Sequence, residues 1–306
     1  VPKTPTAPAT LAPLFKWTGG KRREIARFSP HYPAFVTAGE RYRYVEPFVG
    51  GGAVYWSLAN PDSVINDWDG ELINFYRVAA RQDPQFLTAV DAVSALFGPG
   101  GTHDQRAQAY YDFRNLDRAG GLARCPDWQR AARFFIVNQL AFSGMRRFNA
   151  AGEFNVPFGH YTTLNASALR SSAHAGLLAT TDIRQGSYDR VLEDNDKPNT
   201  FIYVDPPYTR VMKTYSAGAT FGDQEQLELR DRLAALKHAS FMVVIDKSEL
   251  TEGLYRDFIV HVYPVRYGVN IKNRFSQGAE HVVACNYVTA AGAVPPSWPF
   301  RAQVGP

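Results

Sequence analysis

The chain has 306 residues, 45% hydrophobic and 20% charged, with a formal net charge of +4 and a pI of about 9.0. This is a globular composition, large enough for one big α/β domain with an insertion or for two domains, and its mild basicity permits a polyanionic partner without demanding one. Without a run of about 18 apolar residues it has no transmembrane helix, and its two distant cysteines, Cys125 and Cys285, rule out a disulfide scaffold or a cysteine zinc site and point to a reducing cytoplasm.

Residues 1–13 are proline-rich and read as a floppy tail rather than a signal peptide. Leu14-Phe-Lys-Trp-Thr-Gly-Gly-Lys21 follows, then a short helix over Arg22–Phe28. A Gly-Gly-Lys turn at a helix start can hold an anion, though it lacks the lead of a P-loop. Tyr44–Leu58 reads as a strand, a Gly50-Gly51-Gly52 turn and a helix. Its glycines allow a ligand close to the backbone, but Tyr55 stands where the dinucleotide fingerprint needs its last glycine. The next strand, Ser63–Asp67, ends in an acid where α/β folds bind a ribose, so a nucleoside without a pyrophosphate fits.

From Gly70 the periodicity becomes helical: Glu71–Arg81, Pro84–Phe97, Gln105–Leu116 and Trp128–Leu140, with Gly/Pro-rich breaks between. Phe142–Gly159 then reads as a hairpin carrying Arg146, Arg147, Asn149 and Asn155 among phenylalanines. That is either a base-reading surface or a solvated hairpin over a few core rings. Strand–helix alternation resumes with a strand over Leu177–Thr181 leading to Asp182-Ile183, whose acid is either a helix cap or an acceptor for an adenine amine. Strands follow over Thr200–Val204 and Ala239–Ile245, with a helix over Asp223–Lys237 between them, and then over Phe258–Val265 and His281–Thr289. The polar stretches Thr209–Phe221 and Tyr267–Phe275 are candidate loops over the site. The tail from Ala290 is peripheral.

The densest chemistry is Asp205-Pro206-Pro207-Tyr208 at the end of the Thr200–Val204 strand. Proline rings stiffen the corner and donate no backbone hydrogen bond, and Asp205, preceding a proline, is held extended. A carboxylate, a free carbonyl and a phenol ring at one rigid point suit a planar exocyclic amine. Asp205, Pro206, Pro207 and Tyr208 are therefore the candidate catalytic residues.

Taken together, Phe15-Lys-Trp-Thr-Gly-Gly-Lys21, Val45-Glu-Pro-Phe-Val-Gly-Gly-Gly52, Asn66-Asp67, Gly152-Glu-Phe-Asn-Val-Pro-Phe-Gly159, Asp182-Ile183 and Asp205-Pro-Pro-Tyr208 follow a family order. From Leu14 to about Thr289 the chain resembles the adenine-specific DNA methyltransferases of the DNA adenine methylase type. The resemblance implies an α/β fold: a seven-stranded Rossmann-like methyltransferase sheet over 14–70 and 160–290, and an inserted helical DNA-recognition domain over 71–159 carrying a β-hairpin. It implies S-adenosylmethionine as cofactor, held by Trp17, Lys21, Phe48, Gly50, Asp67, Asp182, Ile183 and Asp205, with no metal. It implies double-stranded DNA as partner, contacted through Ser143, Arg146, Arg147, Asn149 and Asn155, with the target adenine flipped out. Ser143-Gly144 replaces the family's usual Asn-Gly, which leaves the target sequence open, GATC or another. The expected setting is the cytoplasm of a bacterium or phage host, as a monomer or weak dimer, with a cognate restriction nuclease as a candidate partner. The same corner occurs in enzymes that methylate RNA adenine or protein glutamine. Methylation of RNA adenine and an inactive DNA-binding relative stay open as alternatives.

Overall fold

The computed structural model describes residues 10–208, 221–265 and 279–296. Residues 209–220 and 267–275, the two candidate loops, and most of both tails lie outside the described residues.

Seven strands form one sheet: β1 (Arg43–Glu46), β2 (Ser63–Asp67), β3 (Asp182–Gln185), β4 (Thr200–Val204), β5 (Ser240–Asp246), β6 (Ile259–Val265) and β7 (Ala279–Cys285), in the order β3-β2-β1-β4-β5-β7-β6. The first five are parallel, and β7 enters antiparallel between β5 and β6. The seven-stranded α/β expectation is borne out. β1 lies between β2 and β4, so the chain leaves it in both directions, and the crevice at the carboxyl ends of β1 and β4 is the topological switch point where such sheets bind ligands.

Alternation along the central strands builds a core on each face. Tyr44, Ile65, Phe201, Tyr203, Met242 and Val244 join one hydrophobic cluster. Val45, Val64, Ile202, Val204, Phe241 and Val243 join the other. The α-helices of six or more residues among the described residues are α1 (Ala53–Leu58), α2 (Gly70–Ala80), α3 (Pro84–Ala95), α4 (His103–Arg114), α5 (Asp127–Leu140), α6 (Ser172–Thr180), α7 (Tyr188–Asp194), α8 (Asp223–Ala234) and α9 (Glu249–Tyr255). Local chemistry starts those of the insertion. Asp69 caps α2 by accepting from Glu71 and Leu72 N–H, Asp83 caps α3 ahead of Pro84, and Thr102 with Gln105 forms a capping box on α4.

α5 is the insertion's axis, with Ala131, Phe134, Phe135, Ile136, Val137 and Leu140 all buried. Each large apolar side chain of that kind contributes about 1.5–3 kcal/mol on burial. These residues belong to the same cluster as Phe201 and Tyr203 on the sheet, so the insertion and one face of the sheet share a single core.

Two expectations change. Leu177–Thr181 is not a strand: it closes α6, which Ser171 caps by accepting from His174 N–H, and the strand begins at Asp182. The apolar pair Leu177-Leu178 is buried on a helix face, whereas the polar Asp182–Gln185 serves as an edge strand that needs only one partner, β2. The hairpin is present as isolated bridges, Ala141 with Phe158 and Phe148 with Phe154, without continuous strands. Among the described residues no helix is long and apolar enough to cross a membrane, and no group of three or more His, Cys, Asp or Glu side chains could hold a metal ion.

Candidate active site

A cleft of about 470 Å3 opens at the switch point. Its floor is Glu46–Gly52 after β1, and its walls are Trp17–Lys21, Asp67–Asp69 after β2, Gly186–Asp189 after β3 and Asp205–Tyr208 after β4. The glycine turn sits tightly under Trp17. A Cβ on Gly50 would lie 2.5 Å from Trp17 Nε1, and one on Gly51 would lie 2.7 Å from Trp17 Cβ. Gly50 (φ +46) and Gly52 (φ +65) also take left-handed backbone that other residues enter at a cost.

Lys21, which the resemblance places in the cofactor pocket, is 1% exposed and points at the Asp-Pro-Pro-Tyr corner. Its ammonium donates to Asp205 Oδ1 at 2.6 Å, to the Gly19 carbonyl at 3.3 Å and to the Tyr208 hydroxyl. Burial raises the Asp205 carboxyl above the usual carboxylate range, and Lys21 pulls it back. Among the described residues nothing donates to Asp205 Oδ2 or to the Pro206 carbonyl, which leaves two acceptors for a ligand. The Pro207 carbonyl is taken by Gln226 of α8, at 2.9 Å, and Gln226 is fully buried. Behind the corner, Glu24 pairs with His281 Nδ1 at 2.7 Å and accepts from the Tyr263 hydroxyl at 2.9 Å. The His281 ring meets Tyr208 edge-on at 5.6 Å between centroids.

Asp67 accepts from Gly50 N–H at 3.0 Å and from Asp69 N–H at 3.0 Å, and its burial pushes the carboxyl up to about 6. Buried Asn66 ties the far side together by donating to the carbonyls of Pro47 and Gly186, both at 3.0 Å. Phe48 packs against Tyr188 and Phe221, with centroids 5.2 and 5.6 Å away. Trp68 lines the cleft while 61% exposed. Glu46 lies under the turn, where burial raises its carboxyl to about 8 although Tyr44 OH (2.7 Å) and Tyr55 N–H (3.1 Å) donate to it.

The structure thus brings Trp17, Lys21, Phe48, Gly50, Asp67, Asp205, Pro206, Pro207 and Tyr208 to one cleft. Asp182 and Ile183 do not line it. Asp182 opens β3 at the opposite, amino-terminal edge and pairs with Arg184, while Ile183 packs into the core. The residues that do reach the cleft on this side are Gly186–Asp189, just past the short polar strand that the displaced strand assignment hid.

Of the expected DNA contacts, Arg147 is exposed and donates to Asn155 Oδ1 at 2.7 Å. Asn149 is occupied in its own turn: Oδ1 accepts from Ala151 and Glu153 N–H, and Nδ2 donates to Glu153. Ser143 is exposed with φ +53, beside Phe142, an aromatic ring left 46% exposed. Arg146 is not on the hairpin's outer surface. It turns into the cleft, pairs with Asp69 at 2.7 Å and lies over the Trp17 ring, 4.8 Å from its centroid. The hairpin is held by buried Asp117, which accepts from Arg118, from Arg133 and from Phe154 N–H at 2.7 Å.

A nucleoside-sized cleft at the switch point, with a stiff corner offering two acceptors to an amine, suits an enzyme acting on the amino group of a base. A family model described as "D12 class N6 adenine-specific DNA methyltransferase" matches residues 17–269, and the chain belongs to that family. It is therefore an enzyme that methylates N6 of adenine in DNA. The chain is similar to a type II methyltransferase of Lactococcus lactis subsp. cremoris, 29% identical over 90% of this chain and 96% of that protein. It is also similar to a type II methyltransferase of Paramecium bursaria Chlorella virus NC1A, 29% identical over 84% and 91%. With the DNA adenine methylase of Escherichia coli strain K12 it shares 27% identity over 84% of this chain and 88% of that protein.

Proposed function

We propose that the chain uses S-adenosylmethionine to methylate a flipped-out adenine in duplex DNA, with Asp205, the Pro206 carbonyl and Tyr208 presenting the amine. The observation that carries this reading is the corner itself: Asp205 clamped by Lys21 through one oxygen, its other oxygen and the Pro206 carbonyl without a donor among the described residues, and Tyr208 alongside. The cleft fits the cofactor. Its volume of about 470 Å3 falls in the small-molecule range of roughly 300–1,000 Å3. Asp67 is turned to it for a ribose diol, Phe48, Trp68 and Tyr188 offer faces to an adenine, and its many carboxyls suit a ligand carrying a sulfonium and an ammonium.

When bound, S-adenosylmethionine supplies an electrophilic methyl group. The chain's part is positioning. Asp205 and the Pro206 carbonyl accept the two N6 hydrogens, which turns the nitrogen lone pair out of the purine plane, and Tyr208 stacks on the ring. Lys21 keeps Asp205 ionised against its burial. Alignment of this kind supplies most of the acceleration in a direct displacement. The target base must leave the duplex to reach the corner. The hairpin favours such a substrate: Arg147 and Asn155 are suited to base edges, and exposed Phe142 is suited to wedge between steps. The type II names of two relatives favour a pairing with a restriction nuclease.

The test is labelled-methyl incorporation into duplex DNA and, separately, into RNA. Wild type labels DNA, and Asp205→Ala lowers kcat by about a hundred- to a thousandfold, the scale for losing one preorganised electrostatic contact, while cofactor affinity stays within a few fold. Near-normal turnover in that variant, or preferential labelling of RNA, would sink the reading. Arg147→Ala should relax sequence choice. An equal loss on all sequences with a shallower salt slope would make it a phosphate contact instead.

A further inference from the structure

We propose that Arg146 is the cation that takes the carboxylate of the methyl donor's amino-acid end. The proposal rests on the reading of the cleft as an S-adenosylmethionine site and adds to it a ligand that the sequence pattern would have sent to the DNA.

Charge narrows the choice. Among the described residues only two cations line the cleft, Lys21 and Arg146. Lys21 is 1% exposed and committed to Asp205, Tyr208 and the Gly19 carbonyl. The other acid or base side chains of the described lining are carboxyls, Glu46, Asp67, Asp69, Asp189, Glu225 and Glu228, in addition to the corner. Such a wall welcomes a sulfonium and an ammonium and repels a carboxylate. A donor with all three groups needs one cation in the lining, and Lys21 is already engaged.

Arg146 has the capacity. A guanidinium carries five N–H groups, and among the described residues its side chain makes one hydrogen bond, Nη2 to Asp69 Oδ2 at 2.7 Å. Its guanidinium carbon rests over two neighbouring aromatic rings, 4.8 Å from the Trp17 centroid and 5.7 Å from that of Phe134. Its side chain is 21% exposed, so it is largely dry yet open on one side. A guanidinium held this way is preorganised for a fork-on-carboxylate pair. Asp69 does not exhaust it: Oδ1 of that residue is engaged as the α2 cap, and Oδ2 takes the single Nη2 contact. Trp17, on which Arg146 rests, also covers the Gly50-Gly51 turn, so the cation sits beside the floor of the cleft.

The discriminating probe is decarboxylated S-adenosylmethionine, which keeps the adenosine, sulfonium and ammonium and lacks only the carboxylate. Equilibrium dialysis of the intact protein measures Kd for both ligands in wild type, Arg146→Gln and Arg146→Lys, with circular dichroism verifying that each variant is folded. Wild type should bind the carboxylated ligand roughly 10- to 100-fold tighter, the range of one or two charge-assisted hydrogen bonds. In Arg146→Gln the preference should vanish or invert, because the acidic wall then favours the more cationic ligand. Arg146→Lys should restore part of it. If Arg146 only anchors the hairpin to Asp69, Arg146→Gln will weaken both ligands by the same factor and leave their ratio untouched, which overturns the proposal. Equal affinity of wild type for the two ligands overturns it as well. Failure of wild type to bind either ligand is a different failure, that of the cleft as a donor site.

Discussion

Replacing Lys21 by methionine isolates the contact on which the corner depends. The Lys21–Asp205 pair is 2.6 Å long, with Lys21 1% and Asp205 21% exposed. At that separation and an effective dielectric of about 20, the attraction is about 6 kcal/mol. Desolvation of the ammonium offsets much of it, and breaking buried pairs of this kind costs about 3–5 kcal/mol. Asp205 faces a cleft wide enough for water, so the low end applies, about 3 kcal/mol for Lys21→Met. Most of that loss is the penalty of a stranded carboxylate. It should therefore shrink when the charge is also removed: Lys21→Met with Asp205→Asn should be less destabilised than the sum of the singles by about 2 kcal/mol. Urea unfolding of the four proteins in one buffer measures this cycle directly. Additivity within about 0.5 kcal/mol, the behaviour of independent sites, would refute the claim that the lysine is there to hold the acid. Methyl transfer at raised pH gives a second check. Without Lys21 the Asp205 carboxyl is pushed further up by burial, so the activity of Lys21→Met should recover as pH rises, whereas that of wild type should not need to.

Three further outcomes follow from other contacts. Burial raises Glu46 from an ordinary carboxylate value of 4.5 to about 8, so between those pH values the native state holds a proton that the unfolded chain has released, and stability falls as pH rises across that window. Glu46→Gln should remove this slope, and its unfolding free energy relative to wild type should climb from pH 5 to pH 8 by about 1.4 kcal/mol for every tenfold drop in proton concentration; parallel curves would contradict it. Ser143 occupies left-handed backbone (φ +53, ψ 18) that costs an ordinary residue roughly 1–2 kcal/mol, and asparagine tolerates it better. Ser143→Asn should thus raise Tm by about 1–2 °C, and a fall in Tm would refute the account. Asp117→Ala leaves Arg133 and the Phe154 N–H without their acceptor. It should cost about 3–5 kcal/mol and speed hydrogen exchange at Phe154, and a loss below about 1 kcal/mol would show that the clamp is dispensable.

The sequence is most informative where chemistry is local. The Asp205–Tyr208 corner is readable because a five-residue buried strand runs straight into two prolines, and both signals sit within nine residues. Asp67 is readable for the same reason, as the last residue of a buried strand following a glycine turn. Asp182 is misplaced by sequence alone because Leu177-Leu178 looks alike as a buried strand and as one face of a short helix. Only the Ser171 cap and the pairing of β3 with β2 decide between them. The place of Arg146 is hidden for a different reason. Arg146 and Arg147 are adjacent and alike in composition, yet Arg146 pairs inward with Asp69 while Arg147 stays exposed and donates to Asn155. Lys21 looks like an anion ligand because nothing within its own motif announces the carboxylate 184 positions later.

The single apolar mass joining α5, the hairpin phenylalanines and one face of the sheet has a consequence for the encounter with DNA. A recognition element with its own core could swing on a hinge and carry a captured duplex toward the catalytic corner. Here the insertion and the sheet cannot separate without exposing Phe134, Phe154 and Phe158 to water, so under the proposed function recognition and catalysis travel together. Under the proposed function, the bending and unstacking that bring an adenine to the corner are then borne by the nucleic acid, and target choice depends on how readily a given sequence deforms as well as on which base edges it displays.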